Sequence, residues 1–213
     1  MKKTKIFICL LFCAMTILFT GCTHNFNLNS YLTAYNNSNS QATQISQKTT
    51  ITDSEVLVFE KEQNIYIEKD KTKLVVTEKK LNDSLTEGEM FSIATTEEYY
   101  SNNTRYFKQN DVWETEQVED IPTFSKNKIE EKYIESSEYD EEIQEENTCT
   151  ISILDSFVAN VVNNAGTELN IVIKINNNGN IIYSSLTFKN AQNRLCKIET
   201  TYSYQKVSVE LPL

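Results

Sequence analysis

Leu169, Ile171, Ile173 and Ile175 occupy every second position of residues 169–175, the period of a strand that buries one face. Asn176-Asn177-Asn178-Gly179 then reverses the chain, and residues 181–189 return. A second turn, Asn190-Ala191-Gln192-Asn193, leads into a segment in which Cys196, Ile198, Thr200, Tyr202 and Tyr204 share one face, and Val207, Val209 and Leu211 continue the alternation to Pro212. The pattern predicts three consecutive antiparallel strands over one buried face. Upstream, β-branched and aromatic residues concentrate in 44–52, 55–61, 64–69, 72–79, 93–100 and 104–108. Ser101-Asn102-Asn103 reads as a hairpin turn, because Asn tolerates positive φ, and Gln109-Asn110-Asp111 as another, leading into Val112-Trp113.

Helical spacing is rarer. Leu28, Tyr31, Leu32 and Tyr35 follow i, i+3, i+4, i+7 with Asn and Ser at 27, 29 and 30 to cap them, which predicts a short, weak helix ended by the Asn/Ser run at 36–40. Residues 148–154 read as a strand, and 155–163 as a short helix with Asp155 at its N-cap. Residues 125–135 fit either a short helix or an edge strand. The acidic stretch 138–146 reads as a solvated loop. The prediction is an α+β, mostly β chain of one domain at 42–213, preceded by a leader at 1–21 and a tether with the weak helix at 22–41.

Lys2, Lys3 and Lys5 precede a charge-free apolar run from Ile6 to Phe19, the head and core of an export signal. A spanning helix needs about 20 apolar residues, and this run is shorter. Phe19-Thr20-Gly21-Cys22 resembles the lipobox of bacterial lipoproteins, with Phe in place of the usual Leu and Leu18 just upstream. The resemblance implies cleavage before Cys22, a diacylglyceryl group on its thiol, and a membrane partner through a lipid anchor that faces outside the cytoplasm. A plain secreted protein cut nearby, or an uncleaved anchor, are the alternatives.

Composition narrows the function classes. The 213 residues carry 30 acidic and 20 basic groups, for a net charge of −10, and removal of the leader lysines leaves 17 basic groups. No basic face is available for nucleic-acid phosphates. Four glycines and one histidine, His24, leave no material for a Gly-rich phosphate loop, a multi-His metal site or a His-based triad. Asp53, Glu60, Asp70 and Glu78 are candidate acid/base carboxylates, but at this composition a solvated acidic face is the commoner outcome, and the chain is read as a non-enzyme without cofactor. Residues 174–185 mimic a calcium loop with Gly179 sixth, yet Lys174 stands first and Ser185 twelfth where oxygen-rich acidic ligands are needed, so no metal site is assigned. Cys149 and Cys196 are the only cysteines after Cys22; both begin alternating faces, which permits one disulfide or two buried thiols.

The order of elements, with Asn64-Ile65-Tyr66 and Lys69, Tyr99-Tyr100, Arg105-Tyr106-Phe107, Trp113-Glu114, the 169–179 hairpin and the 201–212 tail, resembles the LolA/LppX-type lipoproteins. The resemblance implies a single strongly curved antiparallel sheet, a half-barrel, with one or two short helices packed on its concave face. It further implies a hollow for acyl chains of a lipid-type ligand; Tyr99, Tyr106, Trp113, Ile171, Ile173, Ile198 and Tyr202 are candidates to line such a groove, although strand aromatics are more often core residues or cross-strand pairs. The competing expectation is a structural or interaction lipoprotein of the envelope, with a filled core and a protein partner of unknown identity.

Overall fold

The computed structural model describes residues 26–38, 42–81, 90–119, 121, 127–141 and 146–212. The cationic head, the apolar run, Cys22 and His24 lie outside them. Eleven strands form one antiparallel sheet in the order β6-β5-β4-β3-β2-β1-β11-β10-β9-β8-β7. They are β1 (Gln44–Asp53), β2 (Val56–Glu68), β3 (Lys71–Leu81), β4 (Phe91–Ser101), β5 (Thr104–Gln109), β6 (Val112–Gln117), β7 (Ile134–Glu141), β8 (Glu146–Ile153), β9 (Gly166–Asn176), β10 (Ile181–Asn190) and β11 (Leu195–Ser203). Among the described residues two helices accompany them, α1 (Leu28–Asn37) and α2 (Val158–Val162). The sheet is therefore two meanders, β1 to β6 and β7 to β11, joined edge to edge where β1 pairs with β11.

Hairpin chemistry sets most of the register. Ser54-Glu55, Asn102-Asn103 and Asn110-Asp111 each have two consecutive residues at positive φ, the requirement of the two-residue turns whose twist matches that of the strands. Gly179 at φ +75 serves the β9–β10 turn, where the Asn176 carboxamide accepts the backbone N–H groups of Asn178 and Asn180. The expected separate strands at 55–61 and 64–69 are one thirteen-residue strand, β2. Its polar middle, Lys61-Glu62-Gln63-Asn64, was the apparent break, and it stays in the ladder because both sheet faces there are partly solvated.

Other boundaries also differ. Residues 127–130 are extended, a 3-10 turn follows at Glu131–Tyr133, and β7 then runs into the acidic stretch as far as Glu141, so part of the expected loop is an edge strand whose exposed carboxylates discourage further pairing. Asp155 does not cap α2; it begins a 3-10 turn, and its carboxylate accepts the Glu168 N–H at 2.8 Å. The closing segment 204–212, expected to continue the alternation, forms no strand. It is pinned instead by Val209, 2% exposed, whose N–H donates to Glu68 Oε2 at 2.8 Å.

The core lies on one face. Directly paired residues share a face, and the register links Cys149, Ile173, Ser184, Thr200, Gln47 and Gln63 across six strands, with Ile151, Ile171, Leu186 and Ile198 one step along. Both helices cover this face. Asn27 caps α1, accepting the Ser30 N–H at 3.1 Å, and the helix buries Tyr31, Leu32 and Tyr35. The described residues that lead into β7 pack on the same side. Ile129 is buried there and exchanges hydrogen bonds with the Asn36 side chain at 3.0 and 3.1 Å, while Asn127 donates to Asn160 O at 2.6 Å. Val118 and Ile121, just past one sheet edge, and Tyr133, just before the other, join one hydrophobic cluster, which is how an open sheet is held in a half-barrel curve.

Candidate functional site

The concave face divides into two regions of different chemistry. Beneath the helices, β8 and β9 supply Cys149, Ile151, Leu169, Ile171, Ile173 and Ile175, all at most 1% exposed. Over them, a cavity of about 90 Å³ is left between Tyr35 of α1, Val161 and Val162 of α2, and Leu186, Ile198 and Tyr202 of the sheet. Its lining is mixed, with Gln47, Asn127, Asn163, Ser184 and Thr200 beside the apolar groups: Tyr202 lies among Ser38, Ser184 and Thr200, and Gln47 donates to Thr200 Oγ1 at 3.3 Å. Burial pushes both tyrosine hydroxyls, Tyr35 and Tyr202, well above their ordinary pKa, so neither supplies an anion here.

On the β2 to β6 side the same face turns polar. Lys61 and Glu78 form an ion pair at 3.1 Å, which holds the Glu78 carboxyl below its ordinary value. Farther out, the Arg105 guanidinium is shared between Glu98, with Nε donating at 3.1 Å, and Glu116, with Nη1 donating at 2.6 Å; Tyr100 also donates its hydroxyl to Glu98. Burial raises the Glu98 pKa, but the Arg105 and Tyr100 hydrogen bonds outweigh it and leave the carboxyl below its ordinary value. These carboxylates are ionised and occupied by cations. No pair of them combines a raised with a lowered pKa, as acid/base work requires.

The residues expected to line one groove are not brought together. Ile171, Ile173, Ile198 and Tyr202 lie on the concave face, and Ile198 and Tyr202 reach the cavity. Tyr99, Tyr106 and Trp113 lie on the convex face. Leu74 pairs with Glu98 and Glu98 with Phe107 on the inside, so Tyr99, Tyr106 and Trp113, each one residue away from an inward position or its partner, point outward. There Tyr99 meets Trp113 edge to face at 5.5 Å, and Lys73 and Lys108 sit over the two rings at 5.2 Å each. The trio is a cross-strand aromatic cluster, already satisfied by its own cations.

Cys149 and Cys196 are both buried free thiols. Cys149 on β8 and Cys196 on β11 are separated by two intervening strands, and the register that starts at Cys149 reaches β11 at Thr200, four residues from Cys196. Steps of about 4.8 Å between strands put the pair far beyond disulfide reach. The permitted disulfide is not formed; equal alternation on two strands cannot tell neighbours from strands three apart.

Sequence reasoning missed Tyr35, Val161, Val162 and Leu186 as cavity-lining residues. The helical spacing around Tyr35 and the apolar residues of 155–163 were visible, but not that both helices meet over β10. Residues 174–185 form a plain hairpin, and among the described residues no group of three or more His, Cys, Asp or Glu gathers as metal ligands.

No protein-family model matches the chain, and no curated protein is similar to it in sequence. Among solved structures it is similar to LprF from Mycobacterium bovis, at 13% identity and a TM-score of 0.46 over 88% of this chain and 97% of that one. It is also similar to the lipoprotein LppX from Mycobacterium tuberculosis, at 11% identity and a TM-score of 0.42 over 86% of this chain and all of the other.

Proposed function

We propose that this protein is an exported, lipid-anchored component of the cell envelope that works as an interaction module, with its half-barrel filled by its own side chains. The observation that carries this is the size of the interior. A cavity of about 90 Å³ is well below the roughly 300 Å³ at which ligand pockets begin, and the uncovered remainder of the concave face is occupied by ion pairs such as Lys61–Glu78 and Arg105–Glu98. Charged groups would lose hydration against an acyl chain, so that surface suits water or a polar partner. Anchoring rests on the Phe19-Thr20-Gly21-Cys22 sequence. A binding role fits the concave face, where Glu78 and Glu98 are paired with Lys61 and Arg105.

A second reading, shelter of a small apolar moiety, is favoured by the lining itself. Val161, Val162, Leu186 and Ile198 surround the cavity, and its cover α2 is only five residues long. The two are separated by purifying residues 23–213 without detergent and comparing native with denaturing mass spectra and an organic-solvent extract. The interaction reading expects a bare polypeptide that stays bare after incubation with bacterial lipid extract; a stoichiometric apolar mass overturns it in favour of the carrier. Palmitate labelling that is lost in Cys22→Ala tests the anchor.

A further inference from the structure

Among the described residues the sheet's two outer edges and a seven-residue stretch of β4 lack a strand partner, and they are not equivalent. The outer edge of β6 carries exposed Glu114 and Glu116, and that of β7 carries exposed Glu135 and Glu138. These are the charges that keep strand edges apart. The third lies in β4. This strand pairs with β3 along its whole length, from Phe91 opposite Leu81 to Ser101 opposite Lys71, but with β5 only over Glu98–Ser101. The β5–β6 hairpin then departs, leaving a recess of about 650 Å³ between its tip and Thr95–Glu98. The edge of residues 91–97, Phe-Ser-Ile-Ala-Thr-Thr-Glu, is thus without a strand partner among the described residues. Ser92 to Thr96 are all exposed, with Ile93 at 67%, and the stretch carries no charge before Glu97, which is paired with Lys73.

We propose that this β4 edge is a self-association surface, on which a second copy of the chain lays the same seven residues antiparallel about a two-fold axis at Ala94. Backbone phase supports this register. Asn102 and Asn103 both have positive φ, so Ser101 and Thr104 close a two-residue hairpin as a hydrogen-bonded pair. Alternation along β4 then turns the N–H and C=O groups of Phe91, Ile93, Thr95 and Glu97 toward the open edge. Centring the axis on Ala94 sets Phe91 opposite the partner's Glu97 and Ile93 opposite the partner's Thr95, so that all four outward residues of each copy meet outward residues of the other in hydrogen-bonding pairs. Moving the centre to residue 93 or 95 loses a pair. Ser92 meets Thr96 and Ala94 meets its own copy, so small or β-branched side chains face one another and no like charges are opposed.

Charge selects this edge over the other two. Two copies of a chain with net charge −10 repel, and self-pairing through β6 or β7 would oppose glutamates; the β4 edge lets them approach without like charges in the ladder. The recess beside Glu97 and Glu98 also leaves room where the partner's Phe91 ends, and the register stops there because Glu98 is already paired with Phe107.

The test uses the full chain in mild detergent with copper phenanthroline as oxidant. In Ala94→Cys the two thiols lie on the axis, at a non-hydrogen-bonded pair with Cα atoms about 4.5 Å apart, which suits a disulfide. A covalent dimer is expected. Ser92→Cys alone should stay monomeric, while Ser92→Cys mixed with Thr96→Cys should cross-link. Sedimentation is the second measurement: Ala94→Glu should weaken dimerisation at least ten-fold, and mixing it with Ala94→Lys should restore a heterodimer. Cross-linking of Ala94→Cys no faster than of Ser92→Cys, or a wild-type chain that sediments as a monomer at high concentration, overturns the proposal. The pairing gives the interaction reading a first partner, and the two fail separately: a lipid-filled dimer keeps the pairing and removes that reading, whereas an empty monomer does the reverse.

Discussion

Truncating Leu186 to alanine asks directly whether the interior is held open by a rigid frame. Leu186 is 6% exposed, is flanked on the sheet by Ile171 and Ile198, and forms part of the cavity wall. Deleting its three outer carbons forfeits about 2 kcal/mol of transfer free energy. Its sheet neighbours are fixed by ladder hydrogen bonds, and α2 is tied to the residues leading into β7 by Asn127, so the space should persist as added void, at about 1–2 kcal/mol more. The expected loss is about 3–4 kcal/mol in all, read by equilibrium urea unfolding followed by circular dichroism. With a slope of about 2 kcal/mol/M the midpoint falls by about 1.5–2 M. The space added beside Ile171 and Ile198 should also take up xenon where the wild type does not. A loss under about 1 kcal/mol without any uptake would mean that α1 and α2 sink into the gap, and would refute the picture of a frame that keeps its shape.

Further expectations concern other parts of the fold. Gly166→Ala should cost about 1–3 kcal/mol in the same urea assay, because a Cβ there would lie 2.6 Å from the Lys189 carbonyl and 3.0 Å from the Phe188 ring; an unchanged midpoint would contradict the close approach of β9 and β10. Glu78, Glu97 and Glu199, held low by Lys61, Lys73 and Lys197, and Glu98, held low by Arg105 and Tyr100 against burial, all have depressed folded pKa values. Their contribution is complete above the ordinary carboxylate value of 4.5 and is lost as pH falls through the lower folded values, so a urea midpoint that is flat from neutral pH to 5 should drop below it. A midpoint that rises on acidification would reverse the sign and sink the assignment. Burial pushes the Cys149 thiol up to about 11 and Cys196 in the same direction, so neither should react with a disulfide reagent at pH 8 until urea is added, when both should titrate; fewer than two thiols in urea would reveal a disulfide. Trp113, the single tryptophan, lies outside the hollow. Its fluorescence should ignore anything entering the hollow and respond to Lys108→Ala, and a blue shift on adding lipid extract would contradict its convex position.

Local chemistry made many of the strands and several turns legible before any tertiary information, though not the extent of β2 or the existence of β7. Period-two alternation over 169–175 and the paired asparagines at 102–103 specify β9 and the β4–β5 hairpin, since a strand's faces and a turn's positive φ are properties of a few adjacent residues. The helix at Leu28–Asn37 was legible for the same reason, through its apolar stripe and its Asn27 cap. What alternation cannot encode is which face of a given strand turns inward, or how many strands lie between two similar ones. Tyr99, Tyr106 and Trp113 look like groove residues because aromatics in strands are often buried, yet one step in register puts them outside. Cys149 and Cys196 look like partners because both begin a buried face, yet two strands separate them. The size of the interior was also hidden: it depends on how far α1, α2 and the residues leading into β7 descend onto β10 and β11, a sum of packing contacts between residues distant in the chain. The sequence by itself determined the alternating strands such as β9, the asparagine turns and the acidic surface; only the assembled sheet decided that its hollow is nearly filled and that one uncharged edge is left open, because both follow from strand order and curvature.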